Sequence, residues 1–255
     1  MTTMESCKFG VLGELSINDG AVVLKGARLR CLLAALLLRA GRPVSQHDLV
    51  HQVWDEPPTR ANSTLQVYVV RLKQALGAHG SSVVRSSTGY RIDVDADQVD
   101  LHRFRGLAAR QDPDTRTELG HLREALSLWR GSALADVTSE AMRFEADRLE
   151  EERVVAVERR IELEIVLGAH RELVPELRAL NRKHPFRERF AEFLMLALHR
   201  GGRSADALAI YRVVHRMFAD ELGVRPGRRL AELNEQILGG REIGAPSCLG
   251  PLNQR

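Results

Sequence analysis

Three cysteines in 255 residues, Cys7, Cys31 and Cys248, are too few and too widely spaced for a disulfide framework or a thiolate metal site. Their odd number points to free thiols in a reducing compartment. Long apolar runs are also missing. The best candidate, Cys31 to Leu38, falls well short of the roughly 18 residues that a membrane-spanning helix needs. The N-terminus lacks the basic and then apolar organisation of a secretory signal, so the expected location is the cytoplasm. Common catalytic motifs are absent as well: no GxxxxGK[ST], no HExxH, no CxxC and no GxSxG. The expectation is a non-enzyme with no cofactor and no metal. His47 and His51 stand four apart, but only Asp48 accompanies them, so a surface or packing role is expected of that pair.

One further absence is local. No Asp or Glu occurs between Glu56 and Asp93, in a chain that is 28% charged. That window carries Arg60, Arg71, Lys73, Arg85 and Arg91. Residues 1–95 hold 11 Lys and Arg against 8 Asp and Glu, and the remainder holds 26 of each. The whole net charge of +3 therefore sits in the first part. A basic stretch free of acids suggests a polyanionic partner.

What is present has a readable order. "KFGVLGELSI" reads as β, Asn18-Asp19-Gly20 as a turn, and "AVVLKG" as a returning strand. Leu29, Leu32, Leu33, Leu36 and Leu37 mark a helix face between Ala27 and Arg39, which Gly41 and Pro43 end. Ser45 is a good N-cap for a short helix through Trp54. After Pro57-Pro58, a third helix runs from Thr59 or Arg60 to Leu76, closed by Gly77. "SVVRS", the turn "STG" and "YRIDV" then form a second hairpin. Three helices followed by a hairpin is the plan of a winged helix, and the added N-terminal sheet narrows it to the OmpR type.

From Val99 onward the pattern is helical, with helices expected near 98–111, 114–130, 139–167, 169–183, 186–200, 203–221 and 226–238. Gly168 and Gly202 lie 34 residues apart, a period that suggests tetratricopeptide-like stacking. Within "RFEADRLEEERVVAVERR" the charges alternate in sign at helical spacing, as on a solvated helix laced with ion pairs. Trp129 sits on an apolar stripe and is expected to pack. The expected fold class is thus α+β, an OmpR-type winged helix-turn-helix over residues 1–96, followed by an all-α tetratricopeptide-like domain over 97–240. The tail, 241–255, lacks periodicity and is expected to be disordered.

The third helix carries the candidate site. Leu65, Val69, Leu72 and Leu76 recur at helical spacing and should face inward. Ser63, Gln66, Val67, Val70, Lys73 and Gln74 face away or flank that side, with Arg71 on the boundary. Asn62, Gln66 and Arg71 suit base edges in a major groove, and the apolar Val67 and Val70 suit a thymine methyl. Lys73, Arg60 and Arg85 suit phosphates. The wing tip, Ser86, Ser87 and Thr88, is placed to approach the minor groove or the backbone.

With these stretches in view, the chain resembles the Streptomyces antibiotic regulatory protein family. The likeness is carried by "FGVLGEL", "RLRCLLAALLLRAGRPVS", "VWDEPPTRANSTLQVYVVRLKQAL" and "GYRIDV", then by "ALSLWRGSAL", "HRELVPELRALNRKHPFRERFAEFLMLALHRGGRSADALAIY" and "DELGVRP". It covers roughly Phe9 to Leu238. The resemblance implies an OmpR-type DNA-binding domain joined to a bacterial transcriptional activation domain. It also implies binding to double-stranded DNA at tandem direct repeats near the −35 region, as a homodimer or tandem dimer. Contact with RNA polymerase holoenzyme, including its sigma factor, and control of antibiotic or secondary-metabolite genes follow from it too. By position, Thr64, Gln66, Val67 and Arg71 would face the groove and Lys73 a phosphate. The chain departs from the pattern at Val70, where relatives often carry Ser or Arg, and at Ser86, where a wing Arg can stand. It is expected to resemble the short members, without a receiver domain before it or an ATPase module after it. The residues also leave open a helical-repeat adaptor that binds a protein or small effector, and a repressor that uses the same DNA-binding domain.

Overall fold

The computed structural model describes residues 7–18 and 20–240. Asp19, Cys248 and the tail from residue 241 lie outside them. Two short strands open the chain, β1 (Phe9–Gly10) and β2 (Ser16–Ile17), antiparallel with Phe9 opposite Ile17. Here the structure corrects the sequence reading. "KFGVLGELSI" is not one strand but a complete hairpin, bent at Gly13 with φ of 152°. "AVVLKG" forms no strand. β1 pairs with β2 and forms a parallel bridge from Phe9 to Val99, and Val22 donates its N–H to the Ile17 carbonyl within a turn instead of extending along β2.

Next come α1 (Ala27–Leu37), β3 (Val44–Ser45), α2 (Gln46–Val53) and α3 (Ala61–Ala75). Ser45 caps α2 as expected, its hydroxyl accepting the Asp48 N–H at 3.0 Å. The wing is β4 (Val83–Arg85) and β5 (Gly89–Ile92). Sequence reasoning missed β3, which pairs antiparallel with β5 and makes a three-stranded sheet of order β3-β5-β4. Two residues are too little for an alternation signal. The pairing is close: a Cβ on Gly89 would lie 2.0 Å from the Val44 carbonyl oxygen, so only glycine fits there.

All the remaining elements are helices: α4 (Asp100–Ala108), α5 (Thr115–Ser127), α6 (Glu140–Val166), α7 (His170–Lys183), α8 (Glu188–Arg200), α9 (Ser204–Leu222) and α10 (Arg228–Leu238). Each lies within two or three residues of its expected span. Gly168 and Gly202 both take left-handed backbone, φ 92° and 79°, just ahead of α7 and α9. The 34-residue period is therefore a repeated helix–turn–helix, α7 with α8 and α9 with α10.

Packing divides the chain into two compact units. One holds the described residues up to Asp112 together with Gly120–Ala156; the other holds Pro113–Leu119 and the described residues from Val157. In the first, α1, α2 and α3 pack on one another around Leu32, Leu33, Leu36, Leu49, Leu65 and Leu72, all without solvent exposure. This core extends past residue 96. The buried Asp100 carboxylate accepts N–H groups from Val11 and Leu12 and faces Arg130 at 3.4 Å. Burial is the largest influence on this carboxyl and pushes its pKa up, against the pull of those donors and of Arg130. Trp129 packs edge-on to Phe104 under the Arg153 guanidinium, as its apolar stripe suggested.

The charged run of α6 does more than solvate a face. Arg148 pairs along its own helix with Glu145 and Glu152. Arg159 instead reaches the buried Glu118 of α5 at 2.8 Å, and Arg160 reaches Glu176 of α7. Glu162 is shared between Arg159 and Arg189 of α8. Alternation of sign predicted ion pairs; it did not reveal that some of them join different helices.

Candidate nucleic-acid interface

The third helix is held by the residues expected to hold it. Leu65, Val69, Leu72 and Leu76 are all buried. Its polar side is left outward: Asn62, Ser63, Gln66, Arg71, Lys73 and Gln74 are exposed. Of the proposed base-facing residues, Asn62, Gln66, Val67 and Arg71 stand on the surface, whereas Thr64 at the edge of the first turn is only half exposed. The helix ends where Gly77 turns left-handed at φ 54°, and the following 3-10 turn, Gly77–Ser82, folds back against it.

The electrostatics match the acid-free window with one exception. Arg91 is engaged by Asp93 at 3.2 Å. Arg60, Arg71, Lys73 and Arg85 are exposed and form no ion pair among the described residues. Elsewhere in the chain arginines are paired repeatedly, as on α6. Four uncompensated cations on α3 and the wing therefore leave a positive surface whose counter-charges must come from outside the chain.

Arg71 is nonetheless positioned. Its guanidinium lies over the Tyr68 ring, 5.8 Å from the centroid, and Tyr68 packs edge-on against the buried Trp54, with ring centroids 5.5 Å apart. A buried indole fixes a half-buried phenol, which in turn fixes the reach of the arginine. Sequence reasoning missed Tyr68. The available signal was its place at i−3 from Arg71 on the same helix.

At the wing tip, Ser86 is turned to internal use: its hydroxyl accepts the Gly89 N–H at 3.1 Å, and its own N–H donates to the Gly89 carbonyl at 2.9 Å. Ser87 and Thr88 are exposed, and the Thr88 carbonyl receives the Gln46 N–H, tying the wing to the start of α2. The His47 and His51 rings meet edge-on at 4.5 Å on α2. Among the described residues no group of three or more His, Cys, Asp or Glu could hold a metal ion, and no helix is long and apolar enough to cross a membrane.

Comparison with known proteins decides the family. The family described as transcriptional regulatory protein, C terminal, matches residues 20–92, and the bacterial transcriptional activator domain matches residues 94–238. Regulatory protein DnrI of Streptomyces peucetius is 38% identical over 252 residues, covering 91% of this chain and 92% of that protein. The chain belongs to the Streptomyces antibiotic regulatory protein family. Other members of this family are longer. Regulatory protein AfsR of Streptomyces griseus is 39% identical over 96% of this chain, which spans only 26% of that relative's length. Among solved structures, Mycobacterium tuberculosis EmbR in complex with a low-affinity phosphopeptide superposes with a TM-score of 0.84 at 33% identity. That likeness covers 93% of this chain and 66% of the other. The family's winged helix and helical activator region are thus both present in this chain.

Proposed function

We propose that this chain is a sequence-specific DNA-binding transcriptional activator that reads a major groove with α3. The observation that carries the reading is the set of exposed, unpaired cations Arg60, Arg71, Lys73 and Arg85 around a helix whose inner face is fully buried. Asn62, Thr64, Gln66, Val67 and Arg71 contact base edges; Arg60, Lys73 and Arg85 hold phosphates; Ser87 and Thr88 bring the wing to the backbone. In this reading the chain divides at residue 96 into a DNA-binding part and an activation part. The function is non-catalytic and cytoplasmic, at the nucleoid.

Two chains on tandem direct repeats near a −35 element, each presenting its helical part to RNA polymerase holoenzyme and sigma factor, complete the proposal. Its genes are those of a secondary-metabolite cluster, in keeping with the family. The test is a gel shift of the full chain on DNA upstream of neighbouring biosynthetic genes, followed by run-off transcription with purified polymerase. A retained band that survives non-specific competitor, with more transcript, supports the proposal. No band at low salt points to a helical-repeat adaptor, and less transcript to a repressor.

A further inference from the structure

Val67 and Val70 are the unexplained residues of the reading helix. They are 50% and 54% exposed, and between Leu24 and Arg143 no other large apolar side chain is left that open. Apart from Val23 in the loop ahead of α1, every other large apolar residue of the winged helix is buried or half-buried, so the helices themselves are not loosely packed. Neither valine has a good local reason to be there. A β-branched residue on a helix surface loses rotamer freedom and gains no packing in return. The two stand at i and i+3, so they form one ridge on the outward side of α3. Gln66 and Lys73, both exposed, stand beside that ridge.

An apolar ridge bordered by unpaired cations fits a surface that is negative at its edges and apolar at its centre. A major groove lined by phosphates has one apolar feature to offer, the C5-methyl group of thymine. Spacing sharpens this. The Cβ atoms of an i, i+3 pair stand about 5–6 Å apart, a span of between one and two base steps of about 3.4 Å. We infer that Val67 and Val70 read two 5-methyl pyrimidines on neighbouring base-pair steps, with Val70 as a specificity-determining residue. This rests on the DNA-binding reading above and adds to it a chemical requirement on the operator: two methyls in register with the ridge.

The test uses the full chain and the duplex it enriches from a randomised DNA pool. Each thymine of that duplex is replaced in turn by deoxyuridine, which removes the methyl and keeps the hydrogen-bonding edge. Two substitutions on neighbouring steps should each weaken binding about fourfold, the effect of one buried methyl. Deoxyuridine paired with 5-methylcytosine replacement of any cytosine at those steps shows whether the methyl, and not the base, is read. The Val70→Ala chain, whose alanine favours the helix, should bind the thymine duplex about as weakly as the wild type binds the uracil one. It should lose sensitivity to one of the two steps and keep it at the other. Unchanged affinity with uracil at every thymine, or a full uracil penalty in both Val70→Ala and Val67→Ala chains, overturns the inference while leaving DNA binding intact. If no duplex is enriched at all, the DNA-binding reading itself fails.

Discussion

Asp100 accepts the backbone N–H of Val11 at 2.8 Å, across 89 positions of sequence. The same carboxylate takes the Leu12 N–H at 3.0 Å. The loop between β1 and β2 is therefore satisfied by the first residue of α4, outside the winged helix proper. Asp55, in the connection between α2 and α3, similarly accepts the Glu140 N–H at 2.7 Å, and Ser139 donates its hydroxyl to the Gln52 carbonyl. The β1–β2 loop and the connection between α2 and α3 are braced by the chain that follows them.

Removing that brace should be costly. Asp100→Ala strands at least two buried N–H donors, each worth about 1–3 kcal/mol, so a loss of about 3 kcal/mol is expected in urea denaturation. A fragment ending at residue 96 also lacks Val99 and should unfold at lower urea than a fragment ending at 156. Equal midpoints for the two fragments would contradict this account of the core.

Arg71 and Lys73 should separate specificity from affinity. Arg71→Ala is expected to cost roughly 1–3 kcal/mol on the cognate duplex and much less on random DNA. Lys73→Ala should weaken both evenly and make the salt dependence shallower by about one counter-ion. Fluorescence anisotropy across a salt series reads both quantities. A Lys73→Ala slope equal to the wild-type slope would remove Lys73 from the phosphate contacts.

In the proposed reading, Tyr68 influences DNA binding only by holding Arg71. Tyr68→Leu keeps an apolar filler against Trp54 but removes the ring beneath the guanidinium. It should reduce discrimination between cognate and random duplex without changing the salt slope, whereas Tyr68→Phe, which keeps the ring, should retain it. If Tyr68→Leu lowers binding to both duplexes alike, the residue only supports the helix.

His170 offers a check in the other unit. Burial, and then the nearby Arg200, push its imidazole pKa below the ordinary value of 6.5, against a weaker pull from Glu172. A depressed folded value means the stability it contributes is present above the unfolded pKa and is lost as pH falls through the folded one. An NMR titration should place its midpoint below 6.5, and Arg200→Gln should raise it. A midpoint at or above 6.5 in the wild-type chain would show that the ring is solvated and unopposed.

Most of this architecture was legible because it rests on long periodic elements. The Leu65–Val69–Leu72–Leu76 stripe set the orientation of α3, and the Ser45 cap set the start of α2. Gly168 and Gly202 marked the repeat through the backbone conformation they permit. What escaped was short or distant. β3 is two residues long, β1 and β2 hide within what reads as one strand, and the Asp100 clamp joins residues almost ninety apart. Tyr68 was passed over because an aromatic on a helix reads as packing until its neighbour, Arg71, is seen above it. Ser86 reads as part of an outward wing tip, yet its hydroxyl oxygen accepts the Gly89 N–H and closes the turn.

In the proposed reading, α3 selects sites by sequence. Genome-wide occupancy of the full chain, compared with that of Arg71→Ala at equal abundance, tests it most directly. Discrete wild-type peaks are expected upstream of promoters that share one repeated motif, with their loss or a changed motif for Arg71→Ala. Diffuse wild-type occupancy without a motif, or an unchanged peak set in the variant, would contradict it.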